Sequence, residues 1–170
     1  MIINITKGKL LKGDKIEVEY SKQSDIKNKP THVSEECSNP PHADLRKAFG
    51  NLAIHAALLG EFIAPAMVQD IEDVNPDLVA DYVVTGFTIT GKDETEGVII
   101  SAQKKLKSGK TLGFNTPTTR FESEGENAYE FIDDLATCID FCKSELKEYL
   151  NGKYAPDPQQ SLGFNEDQSR

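Results

Sequence analysis

Three apolar runs separated by very short turns constrain this chain most. Tyr82 to Thr90 is β-branched and aromatic, the composition of a strand. Gly91-Lys92-Asp93-Glu94 turns it, and Val98, Ile99, Ile100 and Ala102 begin a second run. Lys107-Ser108-Gly109-Lys110 makes the next turn, ahead of Thr111, Leu112 and Phe114. A tight turn returns the chain beside the strand it has just left, so these runs predict an antiparallel meander.

The flanking segments supply the partners of that meander. Near the start, Ile16, Val18 and Tyr20 alternate with Glu17 and Glu19, the signature of a half-buried strand. With Ile2, Ile3 and Ile5 it predicts a hairpin, turned at Lys7-Gly8-Lys9 or Lys12-Gly13-Asp14. Residues 21–41 are polar, contain Pro30, Pro40 and Pro41, and read as a long loop. Leu45, Ala48, Phe49, Leu52, Ala56 and Leu59 recur at helical spacing and predict one amphipathic helix, ending around Gly60 and Pro65. Residues 66–81 fit strand or helix, with a turn at Asn75-Pro76-Asp77.

A closing helix is expected from about 127 to 150, with Phe131, Leu135, Ile139, Cys142 and Leu146 on one face and Asn151-Gly152 as its stop. Beyond Lys153 the composition is that of a polar tail, in which Leu162 and Phe164 are the candidate anchors. The expectation is one α+β domain over residues 1–153, of order ββαβββα, followed by a tail over 154–170. Its largely antiparallel sheet has about five strands, with two amphipathic helices on one face.

Bulk properties narrow the class. A chain of 170 residues can bury a core without staples. Three cysteines, an odd number, do not make a disulfide framework, which points to a reducing cytosol. The first residues turn polar after Ile5, unlike a signal peptide, and no apolar run approaches the ~18 residues of a membrane span. A cytoplasmic protein with no membrane partner is expected.

Charge supplies the one functional pointer. The net charge is -9, yet residues 97–121 hold Lys104, Lys105, Lys107, Lys110 and Arg120 and not one acid. Lysines crowded at a turn repel each other unless a counter-ion relieves them, so the hairpin suits phosphate contact, with Gly109 exposing backbone amides. Lysines also mark solvated tips and guard edge strands, which is the plainer reading. A second run, Lys7, Lys9, Lys12 and Lys15, surrounds the first turn. The two runs make a single patch only if both hairpins share one end of the sheet. Phe114 and Phe121 are candidates for base stacking or for the core.

The remaining constellations favour structure over chemistry. Asn115-Thr116-Pro117-Thr118-Thr119-Arg120 suits either an oxyanion or a strand-end bulge at Pro117. Cys138 and Cys142 sit four apart on the closing helix; a zinc site would add Cys37, His32 or His42, but both fall on the apolar stripe and read as core. His55 has no neighbouring acid in sequence and reads as a packing or surface histidine. Glu126, Glu130, Asp133, Asp134 and Asp140 read as a solvated helix face, and the acidic segment 61–81 could meet the basic hairpins of a second copy. GxxxxGK[ST], GxGxxG and HExxH are all lacking. No catalytic residue, metal or cofactor is expected.

From Val84-Thr85-Gly86-Phe87-Thr88-Ile89 through Glu96-Gly97-Val98-Ile99-Ile100 to Leu112-Gly113-Phe114-Asn115-Thr116-Pro117, the pattern resembles a family of small tailed-bacteriophage proteins with no assigned function. The likeness covers about residues 42–153. It implies a viral, intracellular origin and a role in DNA metabolism or in countering host defence, and it carries no site residues. Together these readings predict a non-enzymatic binding protein that engages single-stranded nucleic acid through the basic hairpin. The alternative is an oligomeric interaction protein that captures a host protein or a small nucleotide signal.

Overall fold

A computed structural model of the chain describes residues 1–123 and 125–156. Within them the fold is α+β. β1 (Ile2–Leu11) and β2 (Lys15–Gln23) form the first hairpin, which turns at Lys12-Gly13-Asp14 and not at Lys7-Gly8-Lys9. Gly8 stays inside β1 because the strand passes beneath the closing helix there: a Cβ at Gly8 would come within 2.5 Å of Leu146 Cδ1.

β4 (Tyr82–Thr90), β5 (Gly97–Lys105) and β6 (Thr111–Asn115) form the expected meander. The segment 21–41 is not all loop. Thr31–Cys37 forms β3, paired with β2 from Ile16↔Cys37 to Lys22↔Thr31. The sheet therefore exceeds the five strands expected. Its order is β3-β2-β1-β4-β5-β6, every pairing antiparallel, with a two-residue β7 (Thr119–Arg120) also beside β5. The two halves of the sheet meet at the β1–β4 seam, in register at Lys7↔Thr88, Gly8↔Phe87 and Lys9↔Gly86.

The first helix is broken. α1 (Ala43–Gly50) and α2 (Ala53–Leu59) are separated by a turn at Asn51-Leu52, directly after the poor helix former Gly50, while the apolar spacing continues. Within 66–81 only Pro65–Met67, a 3-10 turn, and α3 (Pro76–Val79) are regular; the Asn75 side chain caps α3 by accepting from the Asp77 amide. α4 (Ile132–Leu150) begins later than its apolar stripe suggested, after a turn at 129–131.

One face of the sheet packs on the helices. Ile5, Ile16, Val18, Phe87, Val98 and Ile100 meet Leu45, Phe49, Leu135, Ile139 and Leu146 in the main core. Strand alternation puts Lys9, Glu17, Glu19, Ser101, Gln103 and Asn115 on the opposite, polar side. A smaller cluster of Ile54, Ala57, Leu58 and Ile63 lies beside α2.

The fold continues past Lys153. Tyr154 bridges to Pro41 and stacks edge-on to Tyr149, and the Ala155 amide donates to the Pro40 carbonyl at 2.9 Å. Leu162 and Phe164 lie outside the described residues. No helix of the described residues is long and apolar enough to cross a membrane.

Candidate functional site

Strand directions decide whether the two basic turns meet. β4 runs antiparallel to both β1 and β5, so β1 and β5 point the same way. β1 runs into the Lys12 turn and β5 into the Leu106–Lys110 turn, and both turns therefore lie at one end of the sheet. A continuous row, Lys9↔Gly86↔Ser101↔Asn115, crosses the four strands, and the β5–β6 hairpin extends beyond it through Lys105↔Thr111 to its turn. Four neighbouring strands at about 4.8 Å spacing make a platform about 15 Å wide.

The β5–β6 turn is tight. The Leu106 amide donates to the Lys110 carbonyl at 2.8 Å, and Gly109 adopts φ +83°, a conformation that costs a glycine little. The turn projects Lys107 and Lys110, and both are exposed. Next to it is a depression of about 410 Å³ lined by Lys9, Lys12, Thr85, Gln103, Phe114 and Asn115, among others. Ser101 Oγ donates to Asn115 Oδ1 at 2.7 Å, and Thr85 Oγ1 donates to the Ser101 carbonyl at 3.1 Å.

The basic residues divide into distinct environments. Lys9, Lys12, Lys105, Lys107 and Lys110 make no ion pair among the described residues. Lys104 points to the helix side, with Nζ 4.7 Å from the Phe62 ring centre and 5.7 Å from that of Tyr82. Lys7 is engaged within the protein: Nζ lies 2.8 Å from Glu17 and 3.6 Å from Glu19. The hydrogen bond from Lys7 holds the Glu17 carboxyl below its usual range. Arg120, paired with Gly97 at the start of β5, lies at the opposite end of the sheet beside the acidic Asp93–Glu96 turn. The strand directions thus put Lys9, Lys12, Lys105, Lys107 and Lys110 toward one end of the sheet and Arg120 at the other, while Lys7, two residues before Lys9 on β1, is ion-paired to Glu17.

The phenylalanines face the core. Phe114 pairs with Ala102 and packs edge-on against Phe62, ring centres 4.9 Å apart, while Phe121 packs against the main core. In the 115–120 stretch, Thr116 is buried and its Oγ1 accepts from the Ile100 amide at 3.0 Å, standing in for the ladder where Pro117 breaks it. That segment follows the bulge reading.

A second cluster was not legible in the sequence. His55, expected to pack or face solvent without an acid nearby, is fully buried under α4 with Nε2 2.7 Å from Asp134 Oδ2 and Nδ1 2.7 Å from Tyr129 Oη. Cys138 Sγ lies 3.6 Å from the same Asp134 oxygen. Burial lowers the His55 pKa despite the opposing Asp134 bond. The network assigns Nε2–H as donor to Asp134 and Nδ1 as acceptor from the Tyr129 hydroxyl. Burial, reinforced by Asp134, pushes the Cys138 thiol up to about 12.

Cys142 stays in the core, its Sγ 3.3 Å from the Ala48 carbonyl. His42 caps α1, accepting from the Asp44 amide, and His32 lies on the edge strand β3. The zinc ligand set considered from sequence does not assemble. The one group of potential ligands that does, among the described residues, is His55, Asp134 and Cys138, with donor atoms all within 4.8 Å. In comparisons with known proteins, the chain matches no family model, no curated protein and no solved structure.

Proposed function

We propose that this protein binds single-stranded nucleic acid across the basic end of its sheet. The observation that carries the reading is the convergence of two hairpin turns at one end of the sheet: Lys9 and Lys12 line a polar depression there, Lys105, Lys107 and Lys110 belong to the neighbouring β5–β6 hairpin, and none of the five makes an ion pair among the described residues. Such lysines satisfy phosphates, while Gln103, Ser101 and Asn115 offer hydrogen bonds to sugar or phosphate oxygens.

A narrow strand fits the patch better than a duplex. The platform is about 15 Å wide, and Glu17 and Glu19 stand beside it on the neighbouring strand β2. A wider ligand would be driven against those carboxylates, in a protein whose net charge is -9. With Phe114 and Phe121 turned to the core, affinity rests on phosphate contacts, so sequence preference is weak. A role in phage DNA metabolism fits this reading.

Fluorescence anisotropy of a labelled oligonucleotide, repeated over a salt series, tests it. Five lysines on single-strand phosphates give a slope of log affinity against log salt of at most about -3.5. A duplex of the same length should bind more weakly. Absence of binding at low salt removes the proposal and favours capture of a small nucleotide or a host protein. A nucleotide carried through purification, or a complex of fixed size, would report that alternative.

A further inference from the structure

The cluster beneath α4 has the composition and spacing of a metal centre. His55 Nε2, Asp134 Oδ2 and Cys138 Sγ lie within 4.8 Å of one another and come from two helices 79 residues apart at the His–Asp pair. A tetrahedral zinc ion holds an oxygen and a sulfur donor about 3.5 Å apart, given bonds of about 2.0 and 2.3 Å. Cys138 Sγ and Asp134 Oδ2 are already 3.6 Å apart. The His55–Asp134 distance of 2.7 Å would open by about 0.6 Å to admit the ion.

Independent features point the same way. Tyr129 Oη lies 2.7 Å from the far ring nitrogen of His55, placed to accept from Nδ1–H in the metal-binding tautomer, the outer-shell bond that orients most metal-binding histidines. The cluster also has an approach from solvent. Asp134 and Cys138 line a groove of about 580 Å³ shared with Asp73 and Glu72, and the adjoining hollow adds Glu130 and Asp133. Those carboxylates favour a cation at the mouth of the groove. His55 lies fully buried behind Asp134, outside the groove lining itself.

We infer that His55, Asp134 and Cys138 form a three-ligand site for a zinc-class divalent transition metal, with a fourth position open to the groove for water or a small ligand. On binding, the Cys138 thiol gives up its proton to solvent and the thiolate bonds the ion. The imidazole hydrogen moves from Nε2 to Nδ1, and Tyr129 Oη changes from donor to acceptor, so the ring carries no change in charge. Each ion therefore displaces about one proton. Three protein ligands and an open position are the pattern of catalytic rather than closed structural zinc sites.

Titration of the reduced, metal-free full chain with Co²⁺ tests the assignment. The expected result is one equivalent of Co²⁺ with tetrahedral visible bands and a sulfur-to-cobalt charge-transfer band. The charge-transfer band should vanish in Cys138→Ser and persist in Cys37→Ser and Cys142→Ser. Cys138 is partly exposed, so its serine variant keeps the fold, and circular dichroism checks this. Tyr129→Phe should weaken Zn²⁺ affinity by about 10- to 100-fold in a chelator competition. No thiolate band in the parent protein, or a band that survives Cys138→Ser, overturns the assignment. Neither result bears on oligonucleotide binding, which uses the far hairpins.

Discussion

Gly86→Ala probes the seam that joins the two halves of the sheet. A Cβ at Gly86 would stand 2.5 Å from the Gly8 carbonyl oxygen and 3.0 Å from Lys9 Cα, both backbone atoms of β1. An ordinary carbon–oxygen approach is about 3.3 Å, so β1 and β4 would have to part by about 0.8 Å. A ladder hydrogen bond stretched that far, from about 2.9 to about 3.7 Å, no longer counts as one. Neither strand can yield easily, because β1 is pinned by β2 and by α4, and β4 by β5.

Losing one or two bonds in a seam of three aligned pairs costs about 1–3 kcal/mol, and overpacking adds a similar amount. The lower entropy of the unfolded alanine chain offsets about 0.4–1 kcal/mol. The net expectation is a loss of about 2–4 kcal/mol. Urea unfolding followed by circular dichroism should then show a midpoint lower by about 1–2 M, taking a slope of about 2 kcal/mol per M. Gly113→Ala, on the edge strand β6 with nothing within 4 Å of the added carbon, is the control and should stay within about 0.5 kcal/mol. If the two variants unfold at the same midpoint, the seam is not as tight as described and the reasoning fails.

Phe114→Ala removes the edge contact to Phe62 and should lower stability by about 1–3 kcal/mol in urea unfolding; an unchanged midpoint would contradict its packing on the core side. Glu17 has its pKa depressed by Lys7, so its stabilising contribution is present above the ordinary carboxylate value and is lost as pH falls through the lowered one. A carboxyl NMR titration should show the Glu17 midpoint rise in Lys7→Met, and an unmoved midpoint would break that attribution. Cysteine labelling under native conditions should modify Cys37 first and Cys138 slowly, with Cys142 protected until unfolding; rapid labelling of Cys142 would contradict its place in the core.

The meander and the first hairpin were legible because tight turns leave neighbouring strands one way to pair. β3 was not. Its sequence, Thr31-His32-Val33-Ser34-Glu35-Glu36-Cys37, has the polar look of a loop because an edge strand needs few apolar side chains, and only Val33 and Cys37 pack against the core. The break at Asn51-Leu52 was hidden because apolar spacing carries on across it into α2. Nor could the basic end be assembled from sequence: that Lys12 and Lys107 share an end follows from the antiparallel β1–β4 seam, a pairing between residues about eighty positions apart. The same distance concealed His55. Its acid, Asp134, was read as one of a solvated helix face, and the pairing exists only because the fold brings α4 beside α2, 79 residues away in sequence. The only local signal was a histidine flanked by Ile54 and Ala56 on an apolar stretch.

The most direct test of the account is the salt dependence of single-strand binding in two charge-removal variants compared with the parent protein. One carries Lys12, Lys105, Lys107 and Lys110 changed to Gln; the other carries Lys7 and Arg120 changed to Gln. Each phosphate left without its lysine lowers the slope by about 0.7, so in the first variant the slope should fall by up to about 2.8 and nearly all affinity should disappear, while the second keeps the parent's slope and affinity. Equal effects in both variants, or a parent slope that survives removal of the four lysines, would contradict the claim that the joined hairpin turns are the binding surface.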